Sequence, residues 1–298
     1  MDYFALVKKA FQITIKNKYL WLFGFFIGTS SGSYNFYSGG GGSENNSLGD
    51  YSYQQFVNDA RSFLADNWTW IAVISLVVLG VMIFFLVMRI LSQGALIGSV
   101  NKIDNDKNSN IKDGFKMGLK NFWRVLGLGF VSGITIFLSM IVLGVPIALL
   151  FIYKMYVRGV ILALIGLVIF IPLSIVVNYM AVYGYRYIVL KNKKAIESLK
   201  LAFNLFIKNI WPSVVTSLIL MLVGMITVIA TIILVIALGI PFLILGILAY
   251  LAAKWVGAMI VIGLAIVVFF VLMVLLGAAI STFQSSLWTL TFKELIKE

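Results

Sequence analysis

The chain has 298 residues, of which 61% are hydrophobic and only 11% are charged, and its formal net charge is +12. Because a soluble domain carries about 25% charged residues, this composition excludes an ordinary soluble protein and indicates an integral membrane protein. The sequence contains no cysteine and no histidine. We therefore expect no disulfide, no Cys or His metal site, no cofactor held through these residues and no catalytic pair built on them. We predict that the chain is not an enzyme.

A motif of the form Lys-x-[Ala/Gly]-Phe-x-x-x-x-Lys-Asn occurs three times in the chain, and a tryptophan follows each copy. Spacings of three and four residues place the lysines on one helix face and apolar residues on another. This pattern is typical of a helix that lies in the lipid headgroup layer, with tryptophan at the interface. The residues predicted to contact anionic lipid are Lys8, Lys16, Lys112, Lys116, Lys120, Lys200, Lys208, Trp21, Trp123 and Trp211.

Two apolar segments follow each motif, and together they predict three tandem hairpins. The segments are 19–28 and 68–91, then 122–143 and 157–190, then 211–238 and 255–290. A membrane span needs about 20 apolar residues, so segment 19–28 either borrows residues from the helix before it or enters the membrane without crossing. The prediction is one all-α membrane domain, 1–298, with six transmembrane helices. Its repeats cover approximately 1–104, 105–192 and 193–298, each introduced by an amphipathic interfacial helix.

The distribution of positive charge predicts the orientation in the membrane. Of the 23 Lys and Arg residues, four lie on the side opposite to the rest, namely Arg61, Lys154, Arg158 and Lys254. The positive-inside rule then places both termini in the cytoplasm. Attraction to anionic headgroups explains the basic charge better than nucleic-acid binding, because the chain has no soluble reader module. The polar segment 29–67 becomes an external loop, either a simple tether or a docking site for an external partner.

Two further features are candidates for a helix break or a cavity. The sequence Leu-Gly-[Val/Ile]-Pro occurs twice, at Gly144 and Pro146 and at Gly239 and Pro241. Broken helices at matching repeat positions point to a transport site, but a simple end or kink of a long span is favoured because few polar residues lie nearby. Around Asn178, the residues Tyr183 and Arg186 either line a cavity or belong to an interfacial aromatic belt, which is favoured. Arg89 and Arg186 lie near span ends, where snorkelling is the ordinary interpretation.

The entries Lys120-Asn121-Phe122-Trp123 and Lys208-Asn209-Ile210-Trp211 each lead into a hairpin. In this respect the chain resembles bacterial membrane proteins that include the membrane domain fused to some glycerophosphodiester phosphodiesterases and the YciC-like family. The resemblance implies six spans and a bacterial cytoplasmic (inner) membrane. It implies no phosphodiesterase activity, because the chain lacks that catalytic domain.

Two functions are open on the sequence alone. The favoured hypothesis is a non-enzymatic membrane protein that organises lipids or an unidentified protein partner through its basic interfacial helices. The alternative is a transporter or permease for an amphiphilic or apolar substrate, with its site between hairpins near Pro146, Pro241 and Asn178. A lipid-sized cavity at that place would favour the alternative, and a tightly packed interior would count against it.

Overall fold

A computed structural model describes residues 1–28, 61–62, 64–65 and 67–297. The helices bounded within these ranges are α1 (Tyr3–Lys16), α2 (Leu20–Gly28), α3 (Trp68–Asp104), α4 (Ile111–Ile152), α5 (Tyr156–Lys191), α6 (Ala195–Lys208) and α7 (Ile210–Leu295). The same ranges contain no β-strand, so the all-α class is confirmed for them. The predicted external loop, 29–67, lies almost entirely outside the described residues.

Four of these helices, α3, α4, α5 and α7, are long and apolar enough to cross a membrane. The lengths of α3, α4 and α5 are 37, 42 and 36 residues, whereas about 20 residues cross the hydrocarbon core. At a rise of 1.5 Å per residue, even α5 is about 54 Å long. Helices in membranes tilt by up to about 40°, and at that tilt α5 is still longer than a hydrocarbon core of about 30 Å. These helices therefore extend well beyond the hydrocarbon.

The longest helix, α7, reverses direction within its length. Its backbone is non-helical at Ala253 (φ −132°, ψ 20°) and at Lys254 (φ 50°, ψ −137°). The ring centroids of Phe242 and Phe269 lie 6.1 Å apart, although a straight helix would separate these residues by about 40 Å. We therefore divide α7 into a first arm, 210–252, and a second arm, 255–295, that pack as a hairpin. The turn between α4 and α5 also contains a lysine at positive φ, Lys154.

Replacing Lys254 with glycine should raise thermal stability. The backbone at Lys254 lies in a region that glycine occupies without steric cost but that an L side chain disfavours by about 1–2 kcal/mol. The melting temperature of the detergent-solubilised protein measures the effect, and Lys107→Gly is the control because Lys107 is exposed and lies outside the positive-φ region. A Lys254→Gly variant that melts below the wild type would contradict the described turn.

The packed core lies at one end of the helices, which we call the basic end because α1, α6 and the charged connections lie there. The main cluster joins Ala10 of α1, Phe23 of α2, Leu96 of α3 and Leu287 of the second arm. By contrast, the most apolar stretches of α3, α4 and α7 contain no buried residue in the described chain. Their side chains form an exposed apolar belt, as expected for surfaces that face lipid.

Ion pairs connect separate elements at the basic end. Asp104, the last residue of α3, accepts from Lys9 of α1 and from Lys293 near the end of α7. Lys293 also donates to Asn105 Oδ1 at 2.9 Å. One carboxylate therefore holds the first helix, the end of the first long helix and the last turns of the chain together.

The asparagine of each sequence motif makes the same hydrogen bond. Nδ2 of Asn17, Asn121 and Asn209 donates to the carbonyl oxygen four residues earlier, at 3.0 Å in all three cases. Asn17 caps the end of α1 and Asn209 caps the end of α6, whereas α4 continues through Asn121. An amphipathic interfacial helix was expected before every hairpin, and in the second copy the basic segment forms the first turns of α4 instead of a helix of its own. Pro212 explains the break in the third copy, because proline fits the first turn of a new helix but not a helix interior.

Candidate functional site

A cavity of about 710 Å³ lies between α3, α4, α5 and the second arm of α7. This volume falls within the range of about 300–1,000 Å³ that is usual for ligand pockets. Its polar lining consists of Arg89, Gln93, Ser132, Ser174, Asn178, Tyr185, Arg186, Ser281, Gln284, Ser285 and Trp288. Two of these side chains are cationic, and the lining contains no Asp or Glu from the described chain. The polar wall of the cavity is therefore positively charged.

Arg186 is the charged group most deeply buried at this cavity, with only 2% of its surface exposed. Its Nη1 donates to the Val182 carbonyl oxygen, and its Nη2 donates to the Ser285 carbonyl oxygen at 3.2 Å. Its Nε has no hydrogen-bond partner, and no carboxylate of the described residues lies within ion-pair distance. Burial of a charge without a counter-ion is costly, so an anion in the cavity would gain strongly from this side chain. Snorkelling, the sequence-based interpretation of Arg186, is wrong.

Four serine hydroxyls line the same cavity without a hydrogen-bond partner in the described structure. They belong to Ser132 of α4, Ser174 of α5, and Ser281 and Ser285 of the second arm. Serine in a helix often bonds to the carbonyl four residues earlier, as Thr282 and Thr289 do on the second arm. The four hydroxyls make no such bond, although buried polar groups are normally paired.

The remaining lining is apolar and lies toward the middle of the helices. It includes Ile27, Ile136, Phe170 and Val177. Phe170 and Arg186 lie on the same helix, 16 residues apart, which corresponds to about 24 Å along the axis. Arg186 lies toward the basic end and Phe170 toward the apolar belt. The cavity is therefore elongated, with a cationic polar end and an apolar end.

The predicted lysines lie apart from this cavity, on the outer surface of the basic end. Lys8, Lys16, Lys112, Lys116, Lys120, Lys200 and Lys208 are all exposed, and none forms an ion pair with a described residue. Apolar residues on the same helices are exposed beside them, including Phe4 and Phe11 on α1 and Ile196 and Phe203 on α6. The surface thus presents cationic and apolar side chains together.

The three predicted tryptophans do not occupy equivalent environments. Trp123 and Trp211 are each 78% exposed. Trp21 is partly buried, and its Nε1 donates to the Thr14 carbonyl oxygen at 2.9 Å. This bond spans the break between α1 and α2, so Trp21 also fixes the angle between these helices.

The predicted helix break at Gly144, Pro146, Gly239 and Pro241 is wrong. Helix α4 continues past Pro146 to Ile152, and the first arm of α7 continues past Pro241 to the turn at Lys254. A proline removes one backbone donor, and helices in membranes tolerate this loss. A Cβ on Gly144 or Gly239 would meet no other atom within 4 Å. The favoured interpretation was an end or a kink of each span at these motifs, and the predicted ends come too early, since both helices continue past the prolines.

The remaining two site predictions have different outcomes. Asn178 lines the cavity, as the less favoured interpretation proposed. Tyr183 does not: it is fully buried, its hydroxyl shares a hydrogen bond of 2.7 Å with Ser213 Oγ, and its ring meets Trp288 edge-on with centroids 5.8 Å apart. Tyr183 is therefore a core residue that joins α5 to both arms of α7, and the aromatic-belt interpretation is wrong for it.

Gln93, Ser132 and Ser174 were missed by sequence reasoning, although a signal for two of them was present. On α5 the residues Ser174, Asn178 and Arg186 recur at multiples of four, and on α3 Arg89 and Gln93 are also four apart. Residues with this spacing share one helix face. A search for sparse polar stripes along the apolar spans would have found both faces.

Comparison with known proteins gives one family match. The model of DUF7544, described as a family of unknown function, matches residues 19–290. No curated protein matches the chain, and no solved structure matches it. The site must therefore be interpreted from its own contacts and charges.

Proposed function

We propose that this chain, which belongs to the DUF7544 family of unknown function, is a non-enzymatic integral membrane protein that gathers anionic lipids around its basic end. It would thereby organise lipids, and any partner that follows them, in one leaflet. The observation that carries the proposal is the set of seven exposed lysines without carboxylate partners in the described structure. Each such charge near an anionic surface contributes about 1 kcal/mol to attraction.

The proposed topology has six membrane crossings. Helices α3, α4 and α5 supply three, and the two arms of α7 supply two more. The first crossing is assigned to α2, whose nine residues cover about 14 Å of a hydrocarbon core of about 30 Å, which makes it the shortest of the six. The shared hydrogen bond of the three motif asparagines and the lysine turns at Lys154 and Lys254 support three related hairpins.

The proposed location is the bacterial cytoplasmic membrane, with the basic end and both termini in the cytoplasm. The ion pairs of Asp104 support this orientation, because they bring α1 and the last turns of α7 to the same end of the helices. The positive-inside rule then assigns that end to the cytoplasm.

Neutralising the seven lysines to glutamine should reduce the anionic lipid that surrounds the protein. A smaller matched pair of variants separates position from charge. One variant changes Lys16, Lys120 and Lys208, which hold equivalent places in the motif, and the other changes Lys154, Arg158 and Lys254 near the opposite turns. At about 1 kcal/mol per charge, the first should lose several-fold of its phosphatidylglycerol enrichment. Mass spectrometry of lipids extracted from polymer-bounded native nanodiscs measures it.

The matched variant at the turns should retain the enrichment of the wild type, since its charges lie on the other side of the membrane in the proposed topology. Equal enrichment in all variants would overturn the proposal, as would an equal loss in both three-residue variants.

The cavity favours a second candidate function, a permease for an amphiphilic substrate. Its polar wall lies near the basic end and its apolar lining continues into the belt, so it offers an amphipathic space beside Asn178, although Pro146 and Pro241 do not line it. Transfer of a fluorescent phosphatidylglycerol between leaflets of reconstituted liposomes tests it. Transfer no faster than in protein-free liposomes would exclude this candidate and leave the first unaffected.

A further inference from the structure

We propose that the cavity between α3, α4, α5 and the second arm of α7 binds one amphiphilic molecule with an anionic head. The head, a phosphate or a carboxylate, is held by Arg186 and Arg89, and the apolar part lies against Ile136 and Phe170. This site is separate from the lysine surface, so the inference does not rest on the lipid-gathering function; it deepens the permease candidate by naming the substrate class of its cavity, and binding without transfer between leaflets would separate the two.

The first support is the chemistry of the polar wall. The cavity is lined by two arginines and no carboxylate of the described chain, and guanidinium groups bind phosphate and carboxylate with paired hydrogen bonds. The Nε of Arg186 is unpartnered although this side chain is almost completely buried. The hydroxyls of Ser281 and Ser285 lie on the facing wall without partners in the described structure. Unpartnered donors from α5 and from the second arm of α7 therefore belong to side chains that line the same cavity.

The second support is the shape of the cavity. Its lining extends along α5 from Arg186 to Phe170, about 24 Å at the rise of a helix. A free inorganic anion would fill only the polar end and would leave the apolar lining uncovered. An amphiphile covers both parts, with its head at the basic end and its chain in the apolar belt.

The third support is access. Arg89 and Asn178 both line the cavity and are exposed, so the cavity is open at its side between α3 and α5. Arg89 stands at this opening and meets the head first, and Arg186 holds it inside. A phospholipid of the surrounding leaflet and a free fatty acid are both able to enter by this route.

Arg186 has a competing structural role, because its bond to the Ser285 carbonyl ties α5 to the second arm. Two readouts separate the roles. If Arg186 only holds α5 to the second arm, Arg186→Met should lower the melting temperature of lipid-free protein and leave lipid selectivity unchanged. A binding site predicts the loss of selectivity and a melting temperature that anionic lipid no longer raises, because a ligand stabilises only the folded protein that binds it.

Native mass spectrometry of delipidated, detergent-solubilised protein tests the proposal by titration with dioleoyl phosphatidylglycerol, dioleoyl phosphatidylethanolamine and oleate. The expected result is one tightly bound anionic molecule whose affinity falls at least about tenfold in Arg186→Met. Arg124→Met is the matched control, since Arg124 donates to the Asn192 carbonyl oxygen at 3.2 Å and does not line the cavity. Preference for phosphatidylglycerol identifies a lipid head, and preference for oleate identifies a free carboxylate.

Two more variants keep the test decisive if Arg186→Met fails to fold. Arg89→Gln changes an exposed residue and should weaken binding several-fold, and Ser174→Leu fills the cavity without changing its charge and should also weaken it. The seven-lysine variant should keep the tightly bound molecule, which distinguishes this site from the lysine surface. Equal affinity for all three ligands overturns the proposal, and so does unchanged affinity in the folded Arg186, Arg89 and Ser174 variants.

Discussion

Replacing Gly24 with leucine should prevent α2 from packing in the core and should destabilise the basic end by about 3 kcal/mol, the upper part of the usual range for overpacking. A Cβ at position 24 would overlap the Ala278 carbonyl oxygen and Thr282 Oγ1 on the second arm of α7. The same helices are joined where Thr282 Oγ1 donates to the Leu20 carbonyl oxygen at 3.2 Å. The melting temperature followed by tryptophan fluorescence measures the loss.

Gly133→Leu is the matched control for this substitution. A Cβ on Gly133 of α4 would meet nothing within 4 Å, and the residue is exposed on a helix that passes through the apolar belt. Its variant should melt close to the wild type. Similar melting temperatures for the two leucine variants would show that α2 does not pack against the second arm as described.

Replacing Asp104 with asparagine should also destabilise the basic end, by about 2 kcal/mol. The loss lies between the values usual for exposed and buried ion pairs, because Asp104 is largely buried and Lys293 is partly buried, whereas Lys9 is half exposed. Removal of the carboxylate leaves the Lys293 ammonium near the core without its counter-ion. Chemical denaturation in detergent measures the change.

A double-mutant cycle with Lys293→Met isolates the Asp104–Lys293 interaction from other effects of the substitution. The double variant should be more stable than the sum of the two single losses implies. Glu197→Gln is the control, since its pair with Lys193 is exposed and such pairs contribute little. Additive losses in the cycle would contradict the role given to Asp104.

Much of the helical architecture follows from local sequence patterns. Long apolar runs give α3, α4, α5 and α7 directly, because backbone groups in hydrocarbon must bond within the helix. The helices α1 and α6 end at the Lys-Asn motif, and these ends were not predicted from the sequence. The segment ends predicted at 143 and 238 come too early, since the helices continue to the turns at Lys154 and Lys254. The Leu-Gly-x-Pro motifs lie inside these helices, because proline breaks a helix less readily in lipid than in water.

The candidate site was predicted less well because it depends on long-range packing. Asn178 and Arg186 were recognised as a polar cluster, but the burial of Arg186 depends on residues as distant as Ser285, which lies 99 positions further along the chain. Near a span end, an arginine that snorkels and one that faces a cavity have the same local sequence. Close crossings were missed as well, such as the approach of Gly94 on α3 to Gly118 on α4.

Single-cysteine labelling tests the central claim, that all the basic segments lie on one side of the membrane, most directly. The chain has no cysteine of its own, so each introduced thiol reports alone. Cysteines replace Lys107 and Lys194 at the basic end and Lys154 and Lys254 at the opposite turns, all of which are exposed. With a membrane-impermeant maleimide on intact cells, we expect labelling at Lys154→Cys and Lys254→Cys, and at Lys107→Cys and Lys194→Cys only after lysis. Labelling of one residue from each pair on intact cells would contradict the account.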